Sequence, residues 1–172
     1  FVHRRAFSSA APGVRTVSPS SSARNFRPGS SKSPLEEGRQ PQWSPSGREI
    51  TFWSFRGGTI GIFRQAADGT GEAELLVDTE AFESPSGWSR DGNYLVYMVE
   101  AEGNRGLWYL ERKGDEQGFE SVPFLATSFR ETAPNLSPDS RLLAYCSDLS
   151  GEDQVYVRPF PSGEGQWQVS TN

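Results

Sequence analysis

The chain has 172 residues, of which 34% are apolar, 12% aromatic and 23% charged, with 18 Gly, 12 Pro, one Cys, one His and a net charge of −5. That length suits one domain with a buried core, and no run approaches the roughly 18 consecutive apolar residues that a membrane-spanning helix needs. A single Cys excludes an intrachain disulfide framework, and the Gly, Pro and aromatic content favours short strands and tight turns over helices.

Residues 1–38 are rich in Ser, Arg and Pro and show no sustained period of 2 or 3.6. They offer too little apolar surface to offset the entropy of ordering, so a disordered linker is expected there. The Arg- and Ser-rich character also resembles an organelle transit peptide, but no amphipathic helix accompanies it, and a linker is preferred. Residues 1–34 hold Arg4, Arg5, Arg15, Arg24, Arg27 and Lys32 and no acid, whereas the remainder holds 11 Lys/Arg and all 22 Asp/Glu. An acidic body argues against nucleic acid as a partner, because that affinity rests on Lys and Arg neutralising phosphates.

From residue 39 the chain repeats. The segments PQWSPSGREITFWS (41–54), PSGWSRDGNYLVYMVE (85–100) and APNLSPDSRLLAYCSD (133–148) align on Ser44, Ser89 and Ser137, at spacings of 45 and 48 residues. Several short strands per unit at that period indicate propeller blades, with expected bounds of 39–83, 84–131 and 132–172. Each unit opens with a short strand ending at Trp43, Trp88 or Leu136. A turn follows, built on Ser44, Pro45 and Gly47; on Ser89, Asp91 and Gly92; and on Ser137, Pro138 and Asp139. Pro presets φ, Asp and Ser bond to nearby backbone N–H groups, and Gly supplies the left-handed residue. Ser140 stands where the other two turns have Gly, at a cost of about 1 kcal/mol if the left-handed geometry is kept.

The second strands are expected at 49–54, 94–100 and 142–147, the third at 60–65, 106–111 and 154–158, and the fourth at 73–78, 121–126 and 167–170. The near-continuous apolar runs at 95–99 and 142–146 read as strands covered on both faces by stacked sheets. Trp43, Trp88, Tyr97 and Tyr145 are expected to pack blade on blade, and core packing is also the preferred role for Trp53 and Trp108. The fold class is all-β: three four-stranded antiparallel blades, a partial or half propeller, preceded by a disordered arm.

These segments closely resemble the WD40-like repeats of TolB-type propellers, over roughly residues 40–172. Val155–Pro161 followed by Trp167–Asn172 is further similar to propeller segments in the extracytoplasmic parts of bacterial serine/threonine protein kinases. The resemblance implies a ring of six or more blades and a periplasmic or extracytoplasmic location, with the cytoplasm as the alternative. It implies a piece of a longer protein or, alternatively, a homodimer in which two copies complete a six-bladed ring.

No catalytic constellation is found. His3 is the only histidine and lies in the arm, which removes Ser-His-Asp and Cys-His catalysis and His-based zinc sites within one chain. Nucleophile-elbow, phosphate-loop and kinase motifs are absent from the sequence. Cys146 reads as a buried inert thiol with no basic neighbour in sequence, and Asp148 and Asp153 as a solvated turn in preference to a Ca²⁺ loop. The expectation is a non-catalytic recognition or scaffold module, the sensor part of a signalling kinase or a TolB-like protein. Its partners would be a protein or peptide ligand or further blades, with no cofactor, no metal, no nucleic acid and no membrane insertion. The alternative is a propeller-associated or metal-assisted hydrolase of esterase or peptidase type.

Overall fold

Runs of β-branched and aromatic residues punctuated by Gly, Pro, Asp and Ser form strands and hairpins, and the computed structural model contains only strands as regular elements among the residues it describes, 15–16, 38–78, 81–114 and 118–171. Blade A is β1 (Arg15–Thr16), β2 (Gly38–Trp43), β3 (Glu49–Arg56), β4 (Thr59–Ala66) and β5 (Glu74–Asp78), in the spatial order β1-β5-β4-β3-β2. Blade B is β6 (Phe82–Trp88), β7 (Tyr94–Ala101), β8 (Asn104–Arg112) and β9 (Phe119–Leu125), in sequential order. Blade C is β10 (Glu131–Leu136), β11 (Leu142–Ser147), β12 (Gln154–Pro159) and β13 (Trp167–Gln168), also sequential. Every pairing is antiparallel.

The expected strands are all present, with blades B and C beginning slightly ahead of the expected bounds, at Phe82 and Glu131. The stretch assigned to a linker differs at its described residues. Gly38 opens β2, and Arg15 and Thr16 pair with Asp78 and Val77 on the outer edge of β5, whose free backbone groups accept a fifth strand. The rest of that stretch, His3 included, lies outside the described residues.

The core lies between the blades. Ile62, Leu76 and Val77 of blade A meet Leu95, Tyr97, Val99, Trp108 and Leu110 of blade B. On the other side of blade B, Val96, Leu107 and Leu125 meet Leu143, Tyr145, Tyr156 and Phe160 of blade C. Each such side chain, fully buried, contributes about 1.5–3 kcal/mol. Blade B is therefore covered on both faces, as its apolar second strand suggested.

Blade C corrects that reading of its own second strand. The burial of β11 alternates strictly, because no blade follows it among the described residues. The equivalent fourth-strand positions Val77, Leu125 and Val169 are 0%, 6% and 59% exposed, which marks the uncovered face.

Candidate functional site

The three serine turns share one end of the blade stack and are built alike. Each serine N–H donates to a carbonyl five residues on: Ser44 to Glu49 (2.9 Å), Ser89 to Tyr94 (2.8 Å) and Ser137 to Leu142 (2.9 Å). Each hydroxyl oxygen accepts the backbone N–H of that same partner, at 3.1, 2.9 and 3.0 Å respectively. The hydroxyls of Ser89 and Ser137 donate to Asp91 and Asp139, both at 2.6 Å. These bonds hold the two carboxyls below the usual carboxylate range, with help from the N–H groups of Asn93 and Arg141. The left-handed residues are Gly47, Gly92 and Ser140, with φ of 68°, 74° and 60°. Ser140 has a use that glycine lacks: its hydroxyl accepts the N–H of Arg90 from the neighbouring blade at 2.8 Å.

Between the turns lies a shallow depression of about 510 Å³ to which all three blades contribute, including Trp43 and Pro45, Trp88 and Arg90, and Pro138 and Ser140. A second, of about 440 Å³, shares Arg90 and Ser140 and adds Asp91 and Asp139. Aromatic, proline and guanidinium groups here offer stacking, apolar contact and charge to a ligand, with no activated nucleophile. The turn hydroxyls are committed to the backbone and the aspartates, and no group of three or more potential metal ligands exists among the described residues.

Trp88 packs against blade A. Its indole N–H donates to Thr51 of blade A at 3.0 Å, and its ring meets Phe119 edge-on at 5.7 Å. Tyr97 is fully buried with its hydroxyl bonded to that of Ser121, and Tyr145 stacks on Tyr156 at 5.9 Å. Trp43 departs from the expectation, at 63% exposed: the side on which Trp88 finds blade A has no blade for Trp43 among the described residues. Trp108 is core, and the Trp53 ring lies 5.2 Å from that of Phe82. Cys146 is half-buried on the uncovered face of blade C. Asp148 accepts the N–H of Arg130 at 2.9 Å, and Asp153 takes both bonds of that guanidinium at 2.8 and 2.6 Å, so this loop is an ion-paired turn.

The opposite end of the inner strands holds two residues that sequence reasoning passed over. Glu83 and Glu131 each precede their turn serine by six residues, the signal by which alignment could have found them. They are 0% and 3% exposed. Neither carboxyl oxygen of Glu83 meets a hydrogen-bond partner among the described residues, nor does the indole N–H of Trp53 at the same junction. Burial, and then the charge of Asp78, push Glu83 up to about 9. Glu131 accepts the Thr127 hydroxyl on one oxygen, and burial still raises it to about 7. Blade A has Gly38 at this position, where an added Cβ would lie 3.5 Å from the Phe52 ring.

No family model matches the chain. Solved structures do. A TolB from Agrobacterium tumefaciens superposes with a TM-score of 0.65 at 18% identity, covering 77% of this chain and 46% of its own. TolB from Acinetobacter baumannii gives 0.61 at 20% identity, covering 79% and 33%. Prolyl oligopeptidase B from Galerina marginata gives 0.60 at 11% identity, covering 78% and 20%. This chain spans less than half the length of each of these structures, and the likeness is one of fold: partial propeller.

Proposed function

We propose that this chain is a non-catalytic recognition module that holds a protein or peptide segment in the depression at the serine turns. The observation that supports this most is the exposure of Trp43 beside Arg90, on a surface assembled from three blades. A large aromatic presented to solvent next to a guanidinium and prolines fits a peptide carrying an aromatic or proline and a carboxylate. Panning a phage-displayed random peptide library on the full chain tests this. Enriched peptides should lose at least tenfold in affinity for Trp43→Ala and Arg90→Ala variants. Enrichment indifferent to both substitutions would sink the reading.

We further place the module outside the cytoplasm, as the sensor part of a signalling kinase or a TolB-like protein. The repeat resemblance and the TolB fold likeness support that placement. Alkaline phosphatase fused behind the module in the protein as the cell makes it should be active, and an inactive fusion would overturn the placement. A second reading has the likeness to prolyl oligopeptidase B behind it, in which the module accompanies a hydrolase elsewhere in a longer protein. A peptidase assay on that longer protein separates the two.

A further inference from the structure

We propose that Glu83 and Glu131 are protonation-controlled seals of the two blade junctions, so that rising pH loosens the packing of one blade on the next and the strands that meet there. This is independent of any ligand at the serine turns. Both residues stand at one repeat position, at the start of an inner strand. Glu83 pairs across the ladder with Val99, and Glu131 with Ser147. Paired residues share a face of the sheet, which directs Glu83 toward blade A and Glu131 toward blade B. Each therefore lies where two sheets meet, and separating the sheets is what brings it to water.

The groups around each carboxyl decide its charge. Among the described residues the titratable groups that act on Glu83 are Asp78 of β5 and Tyr97 of β7, neither of them a cation, and the Trp53 ring of β3 lies 5.2 Å from that of the adjacent Phe82. Arg39 lies over the Trp53 ring at 5.8 Å, and Arg105 is paired with Glu100 at 2.9 Å. An ionised carboxylate there would be buried against another acid, so the closed junction holds the neutral form. Around Glu131 stand Asp148, Tyr145 and Arg158, together with the Thr127 hydroxyl. That donor and that cation let Glu131 ionise earlier without leaving the junction.

Opening exposes an ordinary carboxyl that releases its proton. Between the ordinary carboxylate pKa and the closed-state value, the opening equilibrium grows about tenfold per pH unit. Growth ends near pH 7 at the B/C junction and continues to about pH 9 at the A/B junction. Hydrogen exchange of the full chain, followed by mass spectrometry from about pH 5 to about pH 10 and corrected for intrinsic rates, reads this directly. Segments β3 and β4 of blade A should lose protection up to about pH 9, and β10 and β11 of blade C only up to neutrality. Glu83→Gln should flatten the first profile alone, and Glu131→Gln the second alone. Profiles unchanged in these variants, or protection indifferent to pH, would overturn the proposal. Should a variant fail to fold, carbon NMR of the wild-type carboxyls decides: both titrating in the ordinary range of about 4–5 would refute it.

Discussion

At the A/B junction, aliphatic Ile62, Leu76 and Val77 receive blade B, and Tyr97 is fully buried among them. At the B/C junction the rings of Tyr94, Tyr109 and Phe124 surround Phe160, at centroid distances of 5.3–5.6 Å. The strand positions are the same in both, yet at A/B aliphatic side chains of blade A meet Tyr97 and Trp108 of blade B, whereas at B/C rings from both blades cluster on one another. The buried acids follow suit: Glu83 has no donor among the described residues, whereas Glu131 has Thr127 and the nearby charge of Arg158. The repeat thus fixes where a side chain stands, and the residues that depart from the repeat decide what chemistry it has there.

The largest effect should come from breaking the aromatic seam. Phe160→Ala removes the ring that touches the other three and should cost about 3–5 kcal/mol in urea denaturation. The informative readout is exchange protection of β4 and β6. Protection retained there means that the seams yield separately, and protection lost equally everywhere means that the three blades form one cooperative unit.

Next come two glycines that keep a third strand close to its outer neighbour. A Cβ at Gly61 would lie 2.1 Å from the Val77 carbonyl oxygen, and one at Gly106 would lie 2.8 Å from that of Leu125. Gly61→Ala should cost about 3 kcal/mol and Gly106→Ala about 1–2, by thermal or urea unfolding. Equal costs would show that the ladder of blade A relaxes more readily than its spacing implies. Blade C has Gln154 at this position, bonded to the Ser170 hydroxyl beyond a two-residue outer strand, so no such pair of substitutions exists there.

A smaller change should make one seam resemble the other electrostatically. Thr127→Val removes the donor on Glu131, along with an acceptor for the Phe129 N–H, and should cost about 1–2 kcal/mol at pH 7. The Glu131 carboxyl should then rise above about 7. A raised acid keeps its proton only when folded, so stability falls as pH climbs toward the folded value. In a Glu83→Gln background the urea midpoint should be flat between about pH 7 and about pH 9, and should slope downward once Thr127→Val is added. A flat profile in both would mean that the hydroxyl does not set this pKa.

How far the sequence announces all this differs by layer. Three turn serines at a regular period specify hairpins, blades and strand order, because Pro, Asp and Gly at set offsets have few other uses. Exposure was not legible, since it depends on neighbouring sheets: Trp43 and Trp88 look interchangeable along the chain, yet only Trp88 has blade A to lean on. The arm shows the same limit at Arg15 and Thr16, where an open sheet edge recruits residues with no strand pattern of their own. Glu83 and Glu131 read as ordinary surface acids until burial is known, because charge alone does not say whether water reaches it.

The smallest expected effect lies at the turn ends of the two seams, where one residue of each blade faces the next. At B/C, the Ser140 hydroxyl accepts the Arg90 N–H while Ser140 sits at φ 60°. Left-handed strain of about 1 kcal/mol is thereby offset by a hydrogen bond of similar size. Ser140→Gly should consequently change stability by less than about 0.5 kcal/mol, and Ser140→Ala, which keeps the strain and loses the bond, should cost about 1. At A/B the equivalent residues are Gly92 and Pro45, 3.9 Å apart by an added Cβ, and proline has no N–H to donate. Gly92→Ser should therefore cost about 1 kcal/mol with no bond to recover it. Equal tolerance of serine at both turns, by thermal unfolding, would show that the cross-blade bond contributes nothing and that the two seams differ only in their cores.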